Sequence, residues 1–281
     1  MDSGSTDVTI RIAETYGARI VHIHPEEFTF GRSLNLGIEA ATHELVVIAS
    51  AHVYPVYPDW LKCLLYSFAD DKVAVVYGKQ RGTESSKFSE NQIFRQWFPD
   101  EDIAHQPSPF CNNANAAIRR SLWKVHPYDE SLTGLEDIAW AKWAQSQDWV
   151  VAYAAQAEIV HIHHETRRAV YDRYRREAMA LKRIFPESHF NLYDFIRLTV
   201  TNILSDLTHA MRSRILWGHL ASIFWFRSLQ FWGTYQGYRH SSPVTKQLRE
   251  RFYYPRGTNA DESPERDIEP IRYNQGDRGK V

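Results

Sequence analysis

The sequence has few cysteines, almost no net charge and no long uninterrupted apolar run. Cys63 and Cys111 are the only cysteines in 281 residues, so the chain has no disulfide framework and fits a reducing compartment. With 33 Lys and Arg against 34 Asp and Glu, the net charge gives no reason to expect a nucleic-acid partner. The most apolar helical stretch reaches Arg227 after about a dozen residues, short of the roughly 20 that span a bilayer.

Aromatic side chains and histidines are abundant instead. The chain is 43% hydrophobic and 14% aromatic, with 9 Trp and 13 His. Its length suits one large domain with an appendage, or two small domains, and allows a sizeable core. Several histidines lie close together in the sequence. Histidine is the commonest metal ligand in proteins, although a surface histidine is commoner still.

Residues 1–165 alternate short β-rich runs with amphipathic helices, which predicts an α/β sheet. The run 44–49 is apolar throughout and indicates a strand buried on both faces. Gly31 is expected to supply a turn before the helix that follows it. Residues 79–109 are polar and predict a long excursion with a short helix. The predicted strands are residues 18–23, 44–49, 73–78, 115–118, 149–153 and 157–162, and the predicted helices are residues 10–14, 33–41, 58–68, 93–97, 121–125 and 137–147.

Three long helices are predicted after residue 165, at 166–185, 191–211 and 215–235. The first is strongly basic and suits an anionic lipid-linked acceptor, the membrane surface, or simply a solvated helix face. The third is rich in Trp and Phe, and it fits an interfacial helix and a helix packed on its own domain equally well. Residues 241–281 are charged and contain Pro and Gly, which predicts a disordered tail.

Two pairs of residues carry candidate chemistry. Ser50 and His52 follow the strand 44–49, at the carboxyl end where open α/β sheets bind ligands, although a lone histidine there more often caps the backbone. Glu136 and Asp137 are adjacent acids at a helix start. Two acids are able to divide the work of a general base and of a group that orients it, but a helix N-terminus also favours acids without any catalysis.

A third cluster contains His161, His163 and His164 at the end of the last predicted strand. Alternation along an extended chain puts His161 and His163 on one face, where they are able to share a metal ion or a phosphate. A merely polar strand end is the alternative. Three imidazoles among four consecutive side chains make that alternative the weaker one.

The order of these clusters resembles one known family. The matching stretches over residues 1–165 are DSGSTD, GRSLNLGIEAATHELVVIASAH, NNANAAIRRSLW, HPYDESLTGLEDIAWAKWA and AEIVHIHHE. They resemble a family 2 glycosyltransferase, and RRAVYDRYRREA and FRSLQFWGTYQGYRH resemble the C-terminal part of a bacterial subgroup. The resemblance implies an α/β GT-A fold, a Rossmann-like mixed sheet flanked by helices. It implies a catalytic domain at 1–165, a helical region at 166–240 that offers a membrane contact, and a tail at 241–281.

The resemblance also implies a donor site. In this family the polar turn DSGSTD contacts the nucleoside of a nucleotide-sugar, so Asp2 is expected to meet the base, with Ser3 and Ser5 nearby. The other residues expected to bind the donor, around its diphosphate and its sugar, are Arg32, Asn35, Ser50, Asn113, Asn115 and Arg119.

One motif departs from the family pattern. The strand end is usually Asp-x-Asp, whose last acid holds Mn²⁺ or Mg²⁺ on the diphosphate, and here residues 50–52 are Ser-Ala-His. Mg²⁺ prefers oxygen ligands, whereas imidazole suits Mn²⁺ and softer ions. We expect a divalent metal, Mn²⁺ or Mg²⁺, on His52 together with His161 or His163. Without a metal, protonated histidines and Arg32 would neutralise the charge.

The acid pair matches the catalytic acids of the family. The resemblance implies that Asp137 deprotonates an acceptor hydroxyl, which attacks the anomeric carbon opposite the leaving nucleotide and inverts its configuration. Glu136 would bind the acceptor or orient the base. Trp140 and Trp143 follow on the same helix and are expected to pack in the core. By analogy, the acceptor is a glycan or a lipid-linked saccharide, met at the cytoplasmic face of the inner membrane during bacterial surface polysaccharide synthesis.

Residues 170–174 lack the Gln and Trp of the Gln-x-x-Arg-Trp motif of processive relatives, which predicts the addition of one sugar. Two other functions stay open. A metal-dependent hydrolase built on the histidines would need a third ligand and an activated water, and no HExxH pattern is present. A catalytically silent homologue that binds a nucleotide or a partner is the other alternative, because relatives carry a strand, a helix and a second strand before the DSGSTD turn. We expect the natural protein to be longer, with those elements completing the donor pocket. A second chain that fills the gap and poor donor binding are the alternatives.

Overall fold

The structure, a computed structural model, describes residues 1–83, 86–163 and 165–240. A five-stranded mixed sheet is flanked by helices, in agreement with the predicted α/β GT-A fold. The predicted tail 241–281 and His164 lie outside the described residues. The strands follow the spatial order β1–β4–β3–β5–β2, where β1 is Leu45–Ala49, β2 Val53–Pro55, β3 Val73–Arg81, β4 Asn115–Arg119 and β5 Val150–His161.

The strand directions bring several chain ends to one edge of the sheet. β3 and β5 pair in parallel, and β4 runs antiparallel to both β3 and β1, so β1, β3 and β5 point the same way. Their carboxyl ends therefore meet the amino end of β4. The amino end of β2, which pairs antiparallel with β5, lies there too. We call this edge the carboxyl edge, and it is where residues following β1, ending β5 or preceding β4 come together.

Helices cover both faces of the sheet. On one face Ile38 and Trp140 are buried against Ile118, and on the other Leu64 is buried against Val76. The burial of Trp140 confirms its predicted core position. The helices are α1 Thr9–Thr15, α2 Phe30–Ala40, α3 Trp60–Leu65, α4 Phe88–Trp97, α5 Arg120–Val125, α6 Glu136–Ser146, α7 Arg167–Ile184, α8 Leu192–Arg212 and α9 Leu216–Arg239.

Three strand predictions were wrong in detail. The segments 149–153 and 157–162 form the single strand β5, which pairs with β3 through a register shift. The segment 18–23 forms one bridge between Asp2 and His22 instead of a strand, because its described partner is a single residue of an otherwise irregular turn. The strand β1 is half-buried rather than buried on both faces, because it pairs only with β4 and lies at the end of the sheet.

Gly31 lies inside α2 and not in a turn before it. The helix begins at Phe30 because the hydroxyl of Thr29 accepts the N–H of Arg32 at 3.0 Å and caps the first turn. A Cβ on Gly31 would lie 2.8 Å from the carbonyl oxygen of Asp129. Glycine therefore allows the loop around Asp129 to pack directly on α2.

The three predicted C-terminal helices are present, and α9 packs against both α7 and α8. Phe226 of α9 is fully buried beside Val170 and Tyr174 of α7. Gly233 allows close contact, since a Cβ there would lie 2.6 Å from the carbonyl oxygen of Tyr171. These contacts agree with the prediction of a helix packed on its own domain. Within the described ranges, no helix combines the length and the apolarity that a membrane span requires.

A buried ion pair joins α8 to α9. Arg227 Nε lies 2.7 Å from Asp206 Oδ2, and its Nη2 lies 2.9 Å from Oδ1, so the pair is bidentate. The same guanidinium donates to the side chain of Gln230 and, at 3.4 Å, to the carbonyl oxygen of Ser89 in α4. The pair therefore also fixes α4 against the C-terminal helices.

Candidate active site

Three histidines converge at the carboxyl edge. His52 follows β1, His161 is the last residue of β5, and His163 lies two residues beyond. One ring nitrogen from each lies within 4.8 Å of the others, and the Nε2 atoms of His52 and His161 are 2.8 Å apart. The pairing of β2 with β5 explains this contact, because Val53 lies opposite His161 and carries its neighbour His52 to the strand end.

The Nδ1 atoms of these rings face hydrogen-bond partners. Nδ1 of His161 lies 2.7 Å from Oε1 of Gln80, and Nδ1 of His163 lies 2.8 Å from Oε1 of Glu90. An amide oxygen and a carboxylate oxygen only accept, so each Nδ1 carries the hydrogen and each Nε2 presents a lone pair. Nδ1 of His52 lies 3.2 Å from the hydroxyl of Ser50. Hydrogen bonds of this kind orient the histidines of metal sites.

Burial keeps two of the imidazoles neutral. It lowers the pKa of His161 to about 2, and the neighbouring His163 and His52 act in the same direction. Burial also lowers the pKa of His163 to about 3, assisted by the positive charge of Arg173. Neutral imidazole is the form that binds metal ions. A set of three imidazole nitrogens fits Mn²⁺ or a softer divalent ion better than Mg²⁺.

A buried ionic group lies behind His163. Glu90 of α4 is 2% exposed and accepts from Arg173 of α7 at 3.1 Å as well as from His163. Arg173 also lies 2.9 Å from Glu165. An unpaired charge in such a position would be costly, so the carboxylates and the guanidinium depend on one another. Through this group α4 and α7 together fix the ring of His163.

The acid pair begins α6 and is also buried. Leu135, directly before it, has a left-handed backbone with φ of 57°, a conformation that is uncommon for leucine. Oδ2 of Asp137 accepts the N–H of Asn113 at 3.0 Å, and Oδ1 accepts the N–H of Ile138 at 2.8 Å. Because Asn113 precedes β4 by two residues, Glu136 and Asp137 lie at the carboxyl edge.

The surroundings give Glu136 and Asp137 different pKa values. Burial raises the pKa of Glu136, the charge of Asp137 raises it further, and the guanidinium of Arg176 partly opposes both. Burial also raises the pKa of Asp137, but the N–H groups of Asn113 and Ile138 offset part of that increase. Asp137 therefore loses its proton at a lower pH than Glu136. An ionised carboxylate beside a protonated one is the arrangement expected of a general base with an orienting partner.

A short series of contacts joins the acid pair to the histidines. The N–H of Ser50 donates to the carbonyl oxygen of Ala114 at 3.2 Å, and the neighbouring Asn113 donates to Asp137. Ser50 also contacts His52 through its hydroxyl. The structure thus brings the predicted residues Ser50 and Asn113 to the same edge as both clusters.

The turn at Asp2 is organised by its own side chain. The carboxylate accepts the N–H of Gly4 at 3.1 Å and the N–H of Ser5 at 3.2 Å, and it lies 3.2 Å from Nδ1 of His22. Hydrogen bonding, chiefly from Ser5, lowers the pKa of Asp2 to about 2. Asp2 is therefore ionised at neutral pH. Contact of Asp2, Ser3 and Ser5 with a nucleoside stays a prediction.

Two predicted donor-binding residues on α2 are tied to the loop that follows α5. The amide of Asn35 donates to the carbonyl oxygen of Tyr128 and to Glu130, and it accepts from Nε1 of Trp123. Arg32 pairs with Glu130 at 3.5 Å and with a second glutamate of the preceding turn. Asn35 therefore holds the loop in place, while the exposed part of Arg32 remains available to a ligand.

The two predicted residues on β4 occupy opposite ends of that strand. Asn115 is fully buried at the carboxyl edge, where it accepts from Nε1 of Trp60 and donates to the carbonyl oxygen of Ala157 at 2.7 Å. Arg119 ends β4 at the other edge and donates to the carbonyl oxygen of Val73. The structure does not bring Arg119 to the other predicted residues, because β4 runs antiparallel to its neighbours.

Four residues at the site were not singled out from the sequence, namely Gln80, Glu90, Arg173 and Arg176. Arg176 lies over the ring of Phe30 at 4.9 Å, and its charge acts on the neighbouring acid pair. The sequence does contain a signal for Arg173 and Arg176, because residues three positions apart lie on the same face of a helix. For Gln80 and Glu90 no local pattern indicated a partner, because their contacts join segments far apart in the chain.

The mixed sheet flanked by helices has the architecture of a GT-A fold. Residues 1–126 match the family model Glycosyl transferase family 2, and this part of the chain is a domain of that family. The mannosyltransferase PcManGT from Pyrobaculum calidifontis, solved in complex with GDP-Man and Mn²⁺, is similar over 91% of this chain and 77% of its own, with a TM-score of 0.52 and 18% identity. At that identity the likeness shows the fold alone.

Two curated proteins are similar in sequence. The O-antigen chain rhamnosyltransferase WbaN of Salmonella anatum is 29% identical over 193 residues, which are 62% of this chain and 59% of that protein. The O-antigen chain rhamnosyltransferase RfbN of Salmonella typhimurium strain LT2 is 26% identical over 187 residues, again 62% of this chain and 59% of that protein. The chain thus spans less than two thirds of the length of these relatives.

Proposed function

We propose that the chain is an inverting glycosyltransferase that moves one sugar from a nucleotide-sugar donor to a hydroxyl of a glycan or lipid-linked saccharide. The observation that carries this proposal is the meeting of the buried acid pair and the histidine cluster at one edge of a GT-A sheet. The names of the two curated relatives support a role in bacterial surface polysaccharide synthesis and make a rhamnosyl donor the first to test. The proposed location is the cytoplasmic face of the inner membrane, where a lipid-linked acceptor would be met.

In the proposed reaction Asp137 is the general base. Its carboxylate takes the proton of the acceptor hydroxyl, and the oxygen forms a bond to the anomeric carbon from the face opposite the diphosphate. The bond from that carbon to the diphosphate oxygen breaks, its electron pair leaves with the nucleoside diphosphate, and the configuration inverts. The N–H groups of Asn113 and Ile138 hold the carboxylate, which retains lone pairs for the proton. Glu136 binds the acceptor or orients the base.

The histidine cluster is the proposed site of a divalent ion, with Mn²⁺ preferred over Mg²⁺. Its ligands would be His52, His161 and His163, and Gln80 and Glu90 direct the Nε2 lone pairs of the last two. When bound, such an ion supplies Lewis-acid stabilisation of the charge on the leaving diphosphate. The donor nucleoside would lie against the turn that begins at Asp2, and the exposed part of Arg32 and the amide of Asn113 would meet the diphosphate and the sugar.

Calorimetric titration of the protein with UDP-, GDP- and dTDP-sugars, with and without Mn²⁺, tests the donor assignment. We expect one donor to bind, and to bind more tightly with Mn²⁺ than without it. If none of these donors bound, the proposal would be overturned. Sugar transfer is then measured with the bound donor and a panel of saccharide acceptors.

A catalytically silent homologue that binds a nucleotide is the second candidate, because residues 50–52 lack the acids usual at this strand end. It predicts donor binding without turnover on any acceptor or on water. For a metal-dependent hydrolase, the structure offers the third protein ligand that such an enzyme needs, since three histidines lie together. The family 2 domain and the buried acid pair favour transfer over hydrolysis.

A further inference from the structure

Helix α8 carries a stripe of exposed apolar side chains along its whole length. At 100° per residue, the six members lie within a sector of about 120° on the helix surface. Each is between 50 and 70% exposed, which is far more than a side chain packed inside its own domain retains. The α8 stripe consists of Leu192, Tyr193, Ile196, Val200, Leu204 and Met211.

The stripe is distinct from the face by which α8 packs on the protein. Ile203, Asp206 and Ala210 are the buried residues of α8, and they contact α9 and the start of α4. The exposed stripe borders this face, and in the C-terminal half of α8 the partly buried Leu207 lies within the same sector. Single exposed apolar residues are normal, but six on one side of a helix mark a surface that another apolar phase covers.

The charges next to the stripe indicate that the covering phase is a lipid surface with anionic headgroups. Arg197 and Arg212 lie on the polar sector of α8, and Arg214 follows in the next turn. The helix has two acids, of which Asp206 is buried in an ion pair and Asp194 pairs with Arg197 at 3.5 Å. An apolar stripe flanked by arginines matches the boundary between acyl chains and anionic headgroups.

The spacing of the stripe argues against a second copy of the helix as the partner. Leu192, Ile196, Val200 and Leu204 recur every four residues, whereas a coiled-coil seam needs an average of 3.5. The positions that would complete a heptad seam, Ile203 and Ala210, are already buried within the protein. A flat lipid surface imposes no such register. Trp217, the second residue of α9, is 86% exposed and of the residue type enriched at membrane interfaces.

We propose that the α8 stripe docks the protein on an anionic membrane surface, with the helix lying in the plane of the interface. The proposal deepens the proposed function, since it states how the enzyme would meet a lipid-linked acceptor. The buried pair of Arg227 and Asp206 connects α8 to Ser89, and the next residue, Glu90, holds His163. Docking would thus set the position of the histidine cluster relative to the bilayer.

Vesicle sedimentation of the purified chain, without donor or metal, tests the proposal. Two vesicle types are used, phosphatidylcholine alone and phosphatidylcholine with phosphatidylglycerol. The test variant combines Ile196→Gln, Val200→Gln and Leu204→Gln, and the matched control combines Thr201→Gln, Ser205→Gln and Thr208→Gln on the exposed polar sector. Circular dichroism of both variants checks that the helices remain folded.

We expect the wild type to bind the anionic vesicles, the stripe variant to bind at least about tenfold more weakly, and the control to match the wild type. Arg197→Gln with Arg212→Gln should weaken binding to anionic vesicles and leave binding to neutral vesicles unchanged. Equal binding by the stripe variant and the wild type, or no vesicle binding at all, would overturn the proposal. So would concentration-dependent dimerisation that the stripe variant abolishes, because the occupant would then be a second copy. Donor binding is measured separately, so a failed docking surface leaves the proposed transfer reaction untouched.

Discussion

The Nε2 atoms of His52 and His161 lie 2.8 Å apart, although 109 positions separate the two residues in sequence. Both atoms point into the same space, which His163 also lines. Two imidazole nitrogens at this distance either share one hydrogen or turn their lone pairs to a common cation. The hydrogen bond from Nδ1 of His161 to Gln80 leaves the Nε2 lone pair of that ring available, either to a hydrogen on His52 or to a cation.

The first prediction concerns the kind of ion. Because the proposed ligands are nitrogen atoms, Mn²⁺ and Co²⁺ should bind measurably and Mg²⁺ much more weakly. His161→Ala should abolish Mn²⁺ binding by calorimetry, whereas His105→Ala, which removes an exposed histidine remote from the cluster, should not. Tight Mg²⁺ binding that His161→Ala leaves unchanged would contradict the histidine site.

The second prediction concerns Glu90 as a positioning residue. Glu90→Gln weakens the acceptor for Nδ1–H of His163 and leaves Arg173 with one carboxylate fewer. We expect a loss of about 10- to 100-fold in Mn²⁺ affinity, the usual cost of removing an outer partner of a metal-bound histidine. The absorption bands of bound Co²⁺ should shift as the ring reorients. The exposed Glu101→Gln serves as the control, and identical Co²⁺ spectra for both variants would rule out the positioning role.

The third prediction concerns the base. Asp137→Asn keeps the shape of the side chain and removes its ability to take a proton, so the transfer rate should fall by about 10²- to 10⁴-fold. Donor affinity should stay within about twofold, since Asp137 is assigned to the acceptor side. Asp148→Asn is the matched control, because Asp148 is exposed and its φ of 60° suits asparagine as well. Unchanged transfer by Asp137→Asn would remove the base assignment.

The fourth prediction concerns pH and stability. Burial raises the pKa of Glu136 above its ordinary value of 4.5, so the folded protein holds the proton more tightly than the unfolded chain. The resulting stabilisation is complete below the ordinary pKa and is lost as pH rises through the folded-state pKa. The glutamine in Glu136→Gln cannot ionise, so this variant does not lose stability in the same way as pH rises. The free energy of unfolding, measured by urea titration, should therefore become increasingly larger for Glu136→Gln than for the wild type as the pH rises from about 5 to about 8. Glu101→Gln should show no such trend.

The fifth prediction concerns the buried pair of Arg227 and Asp206. Arg227→Met leaves Asp206 charged, buried and without its bidentate partner, so it should lower the free energy of unfolding by about 3–5 kcal/mol. Arg197→Met removes an exposed partner from Asp194 and should change stability by less than about 1 kcal/mol. Denaturant titration of the two variants measures the difference. Equal stability would mean that Asp206 finds another partner or stays protonated.

Local patterns predicted most of the secondary structure. The helices α2, α6 and α7 begin within a few residues of their predicted positions, because apolar period and capping residues act over short distances. β5 was predicted as two strands because nothing local indicates that pairing with β3 continues through its middle. The exposure of β1 also escaped prediction, since an apolar run does not reveal how many neighbours a strand has.

The site was predictable only in part. Glu136, Asp137, His52 and His161 were singled out because adjacent acids and clustered imidazoles are visible in the sequence itself. Glu90 was not, because its role depends on contacts with α7 and with a loop more than 70 positions away. Arg119 was assigned to the site by the resemblance alone, and the antiparallel direction of β4 carries it to the opposite edge.

The contacts of α7 have a consequence for the exchange of segments between related chains. A recombination event that joined residues 1–165 of this chain to the helices of a relative would keep Glu90 but lose Arg173. The new helices would have to supply a guanidinium at the same place. The C-terminal helices therefore cannot be exchanged alone without loss of the pair between Glu90 and Arg173, and α4 and α7 would have to be exchanged together.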